Sequence, residues 1–406
     1  MYRILRSKTD GLAEDVVSLA QDLVRIKGLS SEEDLVADRI ERAFRDLGYD
    51  QVIRDSYGNV LGIIHGRTGE STLLLCSHLD TAAPGKLHDW TGSPWQAEIS
   101  NGRLHGLGAA DCKGGLAAQV YTGALLKRSL LPLDGNLIVA ATVMQEEGHS
   151  TGVRKLIKET LPSLKMKPDW AILGEPTNLG LYYGHEGWAE LVVRVESPNP
   201  FQVNDAAEAI FETLNARRNC ESEHEYLSVR APRIERAEPE RRAIIPIARR
   251  LRPGETLEAV VHEIGLTAAA TARSVGGVAV DTAVRQTERR AYTGRVTLVR
   301  HVTNAWLTDP FNPVMERARH ALAAAELPVR PGKWELGRLG MGTAGGVLVQ
   351  EFGIPTLGYG PGDEAVAHRP NEYVEVKNIV TALYGTAVIA QSLIGVPVYG
   401  WTSDEI

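Results

Sequence analysis

The stretch Leu73-Leu74-Leu75-Cys76-Ser77-His78-Leu79-Asp80-Thr81 limits the possible folds more than any other. An apolar run that reads as a buried strand stops at a histidine and a carboxylate. The same punctuation recurs along the chain. Asp111 follows in Gly106-Leu-Gly-Ala-Ala-Asp-Cys-Lys-Gly-Gly, and Glu146-Glu147 comes after a second apolar run, Leu137 to Val143. Glu175 follows Ala171-Ile172-Leu173, and His368 stands in Ala-His-Arg-Pro-Asn-Glu. Histidines and carboxylates at the C-terminal ends of strands are how an α/β protein builds a metal site. Two histidines with several carboxylates suit zinc or a similar divalent ion, and they are too many for one ion. The chemistry they indicate is two-metal hydrolysis.

The chain has 406 residues, long for one core, so two domains are expected. A net charge of -7 argues against nucleic acid or an anionic membrane as the main partner. Cys76, Cys112 and Cys220 are too scattered for a disulfide framework. The first residues lack the apolar stretch of a signal peptide, and no run approaches the ~18 apolar residues of a membrane span. A cytoplasmic protein is the expectation.

Residues 11–48 read as two amphipathic helices, the second opened by a Ser30-Ser31-Glu-Glu start signal. Apolar runs at Val60–Ile64, Leu73–Cys76 and Leu137–Val143 alternate with a helical segment, Gly115 to Leu126. This predicts an α/β fold: a central mixed, mostly parallel sheet with helices on both faces. The texture then changes. Trp188 to Val195 alternates like a half-exposed strand, Asp205–Arg217 is helical, and Ala243–Ile247 and Arg295–Arg300 are strand-like around a helix from Leu257 to Ile264. From Pro313 the α/β texture returns. The expected organisation is a catalytic domain in two parts, 1–183 and 304–406, interrupted by an inserted α+β domain, 184–303, which the family resemblance given below implies is a lid.

Asp111 is the candidate bridge between two ions, because its Gly-rich turn leaves room for close approach. Asp80 lies two residues beyond His78 in an extended segment and points the same way, which suits orienting the imidazole. Glu146 and Glu147 are adjacent and cannot face one way on a strand. One is expected to bind metal and the other to act as general base. Trp188, Trp306 and Trp334 are expected in the core.

The ordered set Ser77-His78-Leu-Asp80-Thr81, Trp90…Ser93-Pro94-Trp95, Asn101 to Gly115, Glu146-Glu147-Gly148, Gly174-Glu175-Pro176 and Gly360…His368…Pro370-Asn371-Glu372 resembles one zinc amidohydrolase and exopeptidase family. That family includes acetylornithine deacetylase, succinyl-diaminopimelate desuccinylase, aminoacylase and glutamate carboxypeptidase. The resemblance implies that His78 and Glu175 hold one ion, Glu147 and His368 the other, and that Asp111 bridges. It makes Glu146 the general base and Asp80 the residue that orients His78. It also implies two divalent ions per chain, zinc with cobalt or manganese as alternatives, and a homodimer formed through the lid. The implied substrate is an N-acyl amino acid or short peptide, cleaved in the deacylase manner. A dipeptidase or carboxypeptidase of the same family is the alternative, and a metal-containing amino-acid-binding protein with little hydrolysis is the alternative of another class.

Three departures from the family pattern concern the substrate. The first lid strand, Val193-Arg-Val-Glu-Ser-Pro-Asn-Pro, lacks the histidine that in the family stabilises the oxyanion, leaving His224 as the nearest lid candidate. The lid segment Ala248-Arg249-Arg250…Pro253-Gly254-Glu255 keeps Arg250, whose fork fits a substrate carboxylate. The late glycine motif reads Gly342-Thr343-Ala344-Gly345, without its carboxylate. Its backbone N–H groups, at Gly342, Thr343 and Gly345, are candidates to bind a substrate carboxylate.

Overall fold

The computed structural model describes residues 1–220, 227–236, 241–331 and 341–396. His224 and Trp334 lie outside them. The chain opens with three helices, α1 (Tyr2–Asp10), α2 (Ala13–Arg25) and α3 (Asp34–Asp46), one more than the apolar spacing predicts. The buried side of α2 is Val16, Leu19, Ala20, Leu23 and Val24, a stripe at helical spacing. Helix α3 starts at Asp34 without a side-chain cap. Ser30 and Glu33, expected as its start signal, have other partners described below.

Strands β1 (Gln51–Arg54), β2 (Val60–Ile64) and β3 (Thr72–His78) follow, then helix α4 (Gly114–Ser129), β4 (Asn136–Thr142) and β5 (Trp170–Leu173). The inserted segment holds β6 (Gly187–Ser197), α5 (Pro200–Cys220), β7 (Leu227–Val229), β8 (Arg233–Arg236), β9 (Arg241–Leu251), α6 (Leu257–Ala272), β10 (Ala279–Val284), β11 (Gln286–Arg290) and β12 (Val296–Arg300). The chain returns with α7 (Pro313–Ala324), α8 (Gly345–Gln350), β13 (Thr356–Gly358) and α9 (Val376–Ile394).

The main sheet has the order β1-β2-β4-β3-β5-β13. Its last four strands are parallel and the first two run antiparallel on one edge. Every residue of β3 is buried, as an unbroken apolar strand requires when both faces are covered. The period of two decides which layer each side chain joins. Val60, Leu73, Leu75, Leu137 and Val139 pack with α1, α2, α4 and α9, while Leu61, Leu74, Cys76, Ile138 and Ala140 pack on Val153, Leu156, Trp306, Val347 and Leu348.

The inserted segment forms a sheet of its own, β7-β9-β6-β10, with β8 also pairing to β9. Ala189, Leu191, Val193 and Val195 on one face of β6 meet α5 and α6 in a separate apolar cluster. The connections to and from this segment run side by side, Gly184–His185 pairing antiparallel with Trp306–Leu307. Trp306 is fully buried, as expected, whereas Trp188 is 37% exposed and faces a cavity. It alternates outward from the apolar face of β6.

Candidate active site

Four parallel strands deliver the polar residues to one edge. His78 ends β3, the Glu146-Glu147 loop follows β4, Glu175 follows β5, and the loop carrying His368 follows β13. Asp111 comes from the turn before α4. That turn needs Gly108, where φ is +79° and an added Cβ would lie 2.5 Å from Thr81 Cγ2. A second glycine, Gly115, lets α4 rest on the end of β5, since a Cβ there would lie 1.8 Å from the Gly174 carbonyl oxygen.

The carboxylate of Asp111 is almost wholly buried, and its two oxygens face different imidazoles. Oδ1 is 3.2 Å from His78 Nε2 and Oδ2 is 2.8 Å from His368 Nε2. Ligand atoms of His78, Asp111, Cys112 and Glu175 all lie within 4.8 Å of one another, and so do those of Asp111, Glu146 and His368. Cys112 was not singled out from the sequence. Its thiol accepts the His78 backbone N–H at 3.3 Å, and burial pushes its pKa up to about 11.

The His78 imidazole is fixed from behind, Nδ1 lying 2.8 Å from the Asp80 backbone oxygen and 3.5 Å from its carboxylate. With Nδ1 directed at that oxygen, Nε2 is the nitrogen turned toward Asp111 and the cluster. The Asp80 carboxylate does something the spacing did not suggest. It accepts the backbone N–H groups of Gln145 at 3.1 Å and Glu146 at 3.0 Å, and the Ser30 hydroxyl at 2.5 Å. On either side, Glu33 accepts the N–H of Met144 and Ser30 Oγ that of Glu147, both at 3.0 Å. Four consecutive backbone donors, 144 to 147, are thus held by side chains of the segment before α3 and by Asp80. Glu372 does the same for the Asp111 turn, accepting from Gly108, Ala110 and Asp111.

The geometry differs from the sequence expectation at the glutamate pair. Glu146 lies inside, its carboxylate 3.0 Å from His368 Nε2. Glu147 points away, is 55% exposed, and pairs with Arg289 of β11 at 2.7 Å. The late glycine segment also differs. Gly342 lines the cavity, but Thr343 donates its N–H to His185 Nε2 and Gly345 donates to Thr343 Oγ1. Those two amides are engaged within the fold.

Charge balance decides whether the cluster suits cations. Asp80, Asp111 and Glu175, all buried, and the half-buried Glu146 bring four carboxyl groups to two imidazoles. Burial, reinforced by the Asp111 charge, holds Glu175 well above the ordinary carboxylate range. The same two causes raise Glu146. Burial also works against Asp111 and His368, but their mutual hydrogen bond overrides it, keeping Asp111 low and lifting His368 to about 11. Acid that cannot ionise for want of positive charge is what divalent ions relieve. The hard oxygen and imidazole donors fit them, and the two-sided Asp111 fits a pair.

Beside the cluster lies a cavity of about 340 Å³, lined by Glu146, His149, Glu186, Trp188, Arg250 and His368 among others. Arg250 is thus at the wall of a cavity that also reaches Glu146 and His368.

The pattern of peptidase family M20/M25/M40 matches residues 74–392. An uncharacterized protein of Escherichia coli K12, YgeY, is 26% identical over 96% of this chain and 97% of its own length. The succinyl-diaminopimelate desuccinylase of Xylella fastidiosa is 33% identical over 40% of this chain and 43% of its own. Among solved structures, the Bacillus subtilis YXEP protein, a dinuclear metal-binding peptidase, superposes with a TM-score of 0.66 at 14% identity, covering 95% of this chain and 99% of that one. A mostly parallel sheet that brings histidines and acids from five separate segments to one edge agrees with these matches, and the chain belongs to peptidase family M20/M25/M40 as a metal-dependent hydrolase.

Proposed function

We propose that the chain is a two-metal amide hydrolase that removes the acyl group from an N-acyl amino acid or a related small amide. The observation that carries this reading is the Asp111 carboxylate, with one oxygen toward His78 and the other toward His368. In this reading His78 and Glu175 would hold one ion and His368 the other, with Asp111 placed between them. Bound divalent ions supply an acidified water and polarise the amide carbonyl.

The chain's own residues do the rest. Glu146 stands at the cavity beside His368 and takes the proton from the attacking water, then passes it to the leaving nitrogen. Asp80, Ser30 and Glu33 hold the loop that carries Glu146. Arg250 receives a substrate carboxylate as a planar fork. Glu147, which pairs with Arg289 in this structure, would be a further ligand of the ion beside His368.

The test combines metal content with hydrolysis of a panel of N-acyl amino acids and dipeptides. About two ions per chain with cleavage is expected, as is loss of cleavage on chelation and its return with Zn²⁺, Co²⁺ or Mn²⁺. Substitution Glu146→Gln is expected to abolish turnover and spare metal content. Loss of an ion instead would make Glu146 a ligand and overturn its role as base.

A further inference from the structure

The loop that carries Glu146 turns back through two consecutive non-glycine residues in the left-handed region, His149 at φ +48° and Ser150 at φ +57°. That conformation crowds a Cβ against the following carbonyl oxygen, which glycine avoids. Strain of this kind persists where the surrounding structure over-determines it, and it gathers at reacting sites. What a histidine gains there is position, since His149 lines the same cavity as Glu146 and His368. Its carbonyl oxygen accepts from Arg154 Nη1 at 3.4 Å. The inserted segment fixes the imidazole. The ring packs on that of His301, centroids 5.0 Å apart, and His301 Nε2 is itself 2.8 Å from the Thr287 hydroxyl. His149 Nδ1 lies 3.5 Å from Thr303 Oγ1. With Nδ1 directed at that hydroxyl, Nε2 is the ring nitrogen without a partner among the described residues. The side-chain amide of Gln145, on the same wall, is by contrast spent. Its Nε2 donates to the Gly342 oxygen at 3.2 Å, and its Oε1 accepts from Ser150 at 2.8 Å.

A donor fixed in advance matters because attack of water on an amide carbonyl moves an electron pair onto the oxygen. Strand β6 of the inserted segment carries no histidine that could meet that charge. We propose that His149 is a catalytic residue, whose Nε2–H donates a hydrogen bond to the carbonyl oxygen as the charge develops. The proton stays on His149 throughout. The electron pair returns from oxygen to carbon as the C–N bond breaks, and Glu146 gives the leaving nitrogen the proton taken from water. At about 340 Å³ the cavity is at the low end for small-ligand sites, so an amide lying against Glu146 also touches the His149 wall. This rests on the amide-hydrolase reading above and adds a residue to it, one held in place by the inserted segment.

The test uses the zinc-loaded full chain and the amide of the panel that the wild type cleaves fastest. Glycine suits the left-handed backbone at this position, so His149→Gly is expected to keep two ions and a thermal midpoint close to that of the wild type. Its kcat is expected to fall about 10²–10³-fold with KM changed by less than about 3-fold, the mark of a contact made only in the transition state. A phosphinic analogue of the same amide is tetrahedral and charged at oxygen, and it reads that contact without turnover. Its dissociation constant is expected to rise at least about 100-fold in the variant, while that of the product amino acid stays unchanged. A kcat within about 3-fold of the wild type overturns the proposal. So do equal losses of affinity for analogue and product. Loss of an ion or a midpoint well below that of the wild type also overturns it, by making His149 a support for its loop. His149→Asn also fits the left-handed region, stops short of the Nε2 position, and gives the same readings where the glycine variant fails to fold. Cleavage by the wild type with no effect at His149 sinks this proposal alone. Absence of all cleavage at two ions per chain sinks the hydrolase reading and the proposal with it.

Discussion

Substituting Asp80→Asn separates two ways in which this residue could serve the site. The Asp80 carboxylate accepts from Ser30, Gln145 and Glu146, one oxygen taking Gln145 and the other taking the remaining two. An asparagine amide offers one oxygen, so at least one N–H of the glutamate loop would face another N–H. Hydrogen bonds to a charged acceptor contribute about 1.5–3 kcal/mol each. Losing one and weakening the others is expected to cost about 2–4 kcal/mol of stability, measured by urea unfolding. The catalytic consequence follows from position, since a shift of about 1 Å in a reacting group costs on the order of 10²-fold in rate. The His78 imidazole, in contrast, rests on the Asp80 backbone oxygen at 2.8 Å, which the substitution leaves in place. Metal affinity, measured by chelator competition, is therefore expected to stay within about 10-fold, the lower end of what altering a ligand's support usually costs. At saturating zinc, kcat is expected to remain about 10²-fold low. If saturating zinc instead restores kcat while affinity falls 100-fold or more, Asp80 acts through His78, and the loop argument is wrong.

Glu147→Gln is expected to lower metal content from two ions toward one by elemental analysis; two tightly held ions would show that Glu147 is not a ligand and that its pairing with Arg289 persists in the loaded protein. Gly115→Ala would place a methyl group 1.8 Å from the Gly174 oxygen, so the α4–β5 contact must open at a cost of at least about 1–3 kcal/mol. A lower thermal midpoint and weaker metal binding through the displaced Glu175 are expected, and an unchanged melt would refute the contact. His185 is buried, accepts the Thr343 N–H at Nε2 and is held near pKa 4 by burial. The unfolded chain takes up a proton near pH 6.5 that the native imidazole refuses until about pH 4, so stability is expected to fall as pH drops through that window, by up to about 3 kcal/mol. In a His185→Gln variant that part of the acid sensitivity should vanish, as read from unfolding free energies at pH 7 and pH 4.5.

The buried strands and their polar ends were legible because both obey short-range rules. An apolar run without alternation means a strand covered on both faces, and β2, β3 and β4 are such strands. A histidine or acid just past such a run must sit at the sheet edge, which is where His78 and Glu175 lie. The partners of those residues were not legible, since they come from elsewhere in the chain. Ser30 and Glu33 resembled a helix start, yet they hold backbone donors more than a hundred residues away. Cys112 drew no reading beyond its place among three scattered cysteines, and only the turn that carries Asp111 sets it beside His78. Helix α1 was missed because its mean character is polar, and its burial depends on Leu5 and Thr9 packing near α4 and α9.

The glutamate pair shows where local rules stop. Glu146 and Glu147 lie in a turn beyond the end of β4, so strand alternation does not decide which carboxylate enters the site. Which one enters depends on the path of the backbone after β4, and that path is set by the four acceptors at Ser30, Glu33 and Asp80. Met144 is bent into a left-handed conformation there, with φ at +52°, which turns Glu146 toward His368 and leaves Glu147 to the lid arginine. Both are bound to the same loop, so a ligand role for Glu147 and a base role for Glu146 require the Arg289 contact to break while the four backbone contacts hold. If Glu147 is a ligand, the inserted segment would be coupled through Arg289 to metal loading beside His368, and the metal count of Glu147→Gln is the quantity on which that coupling turns.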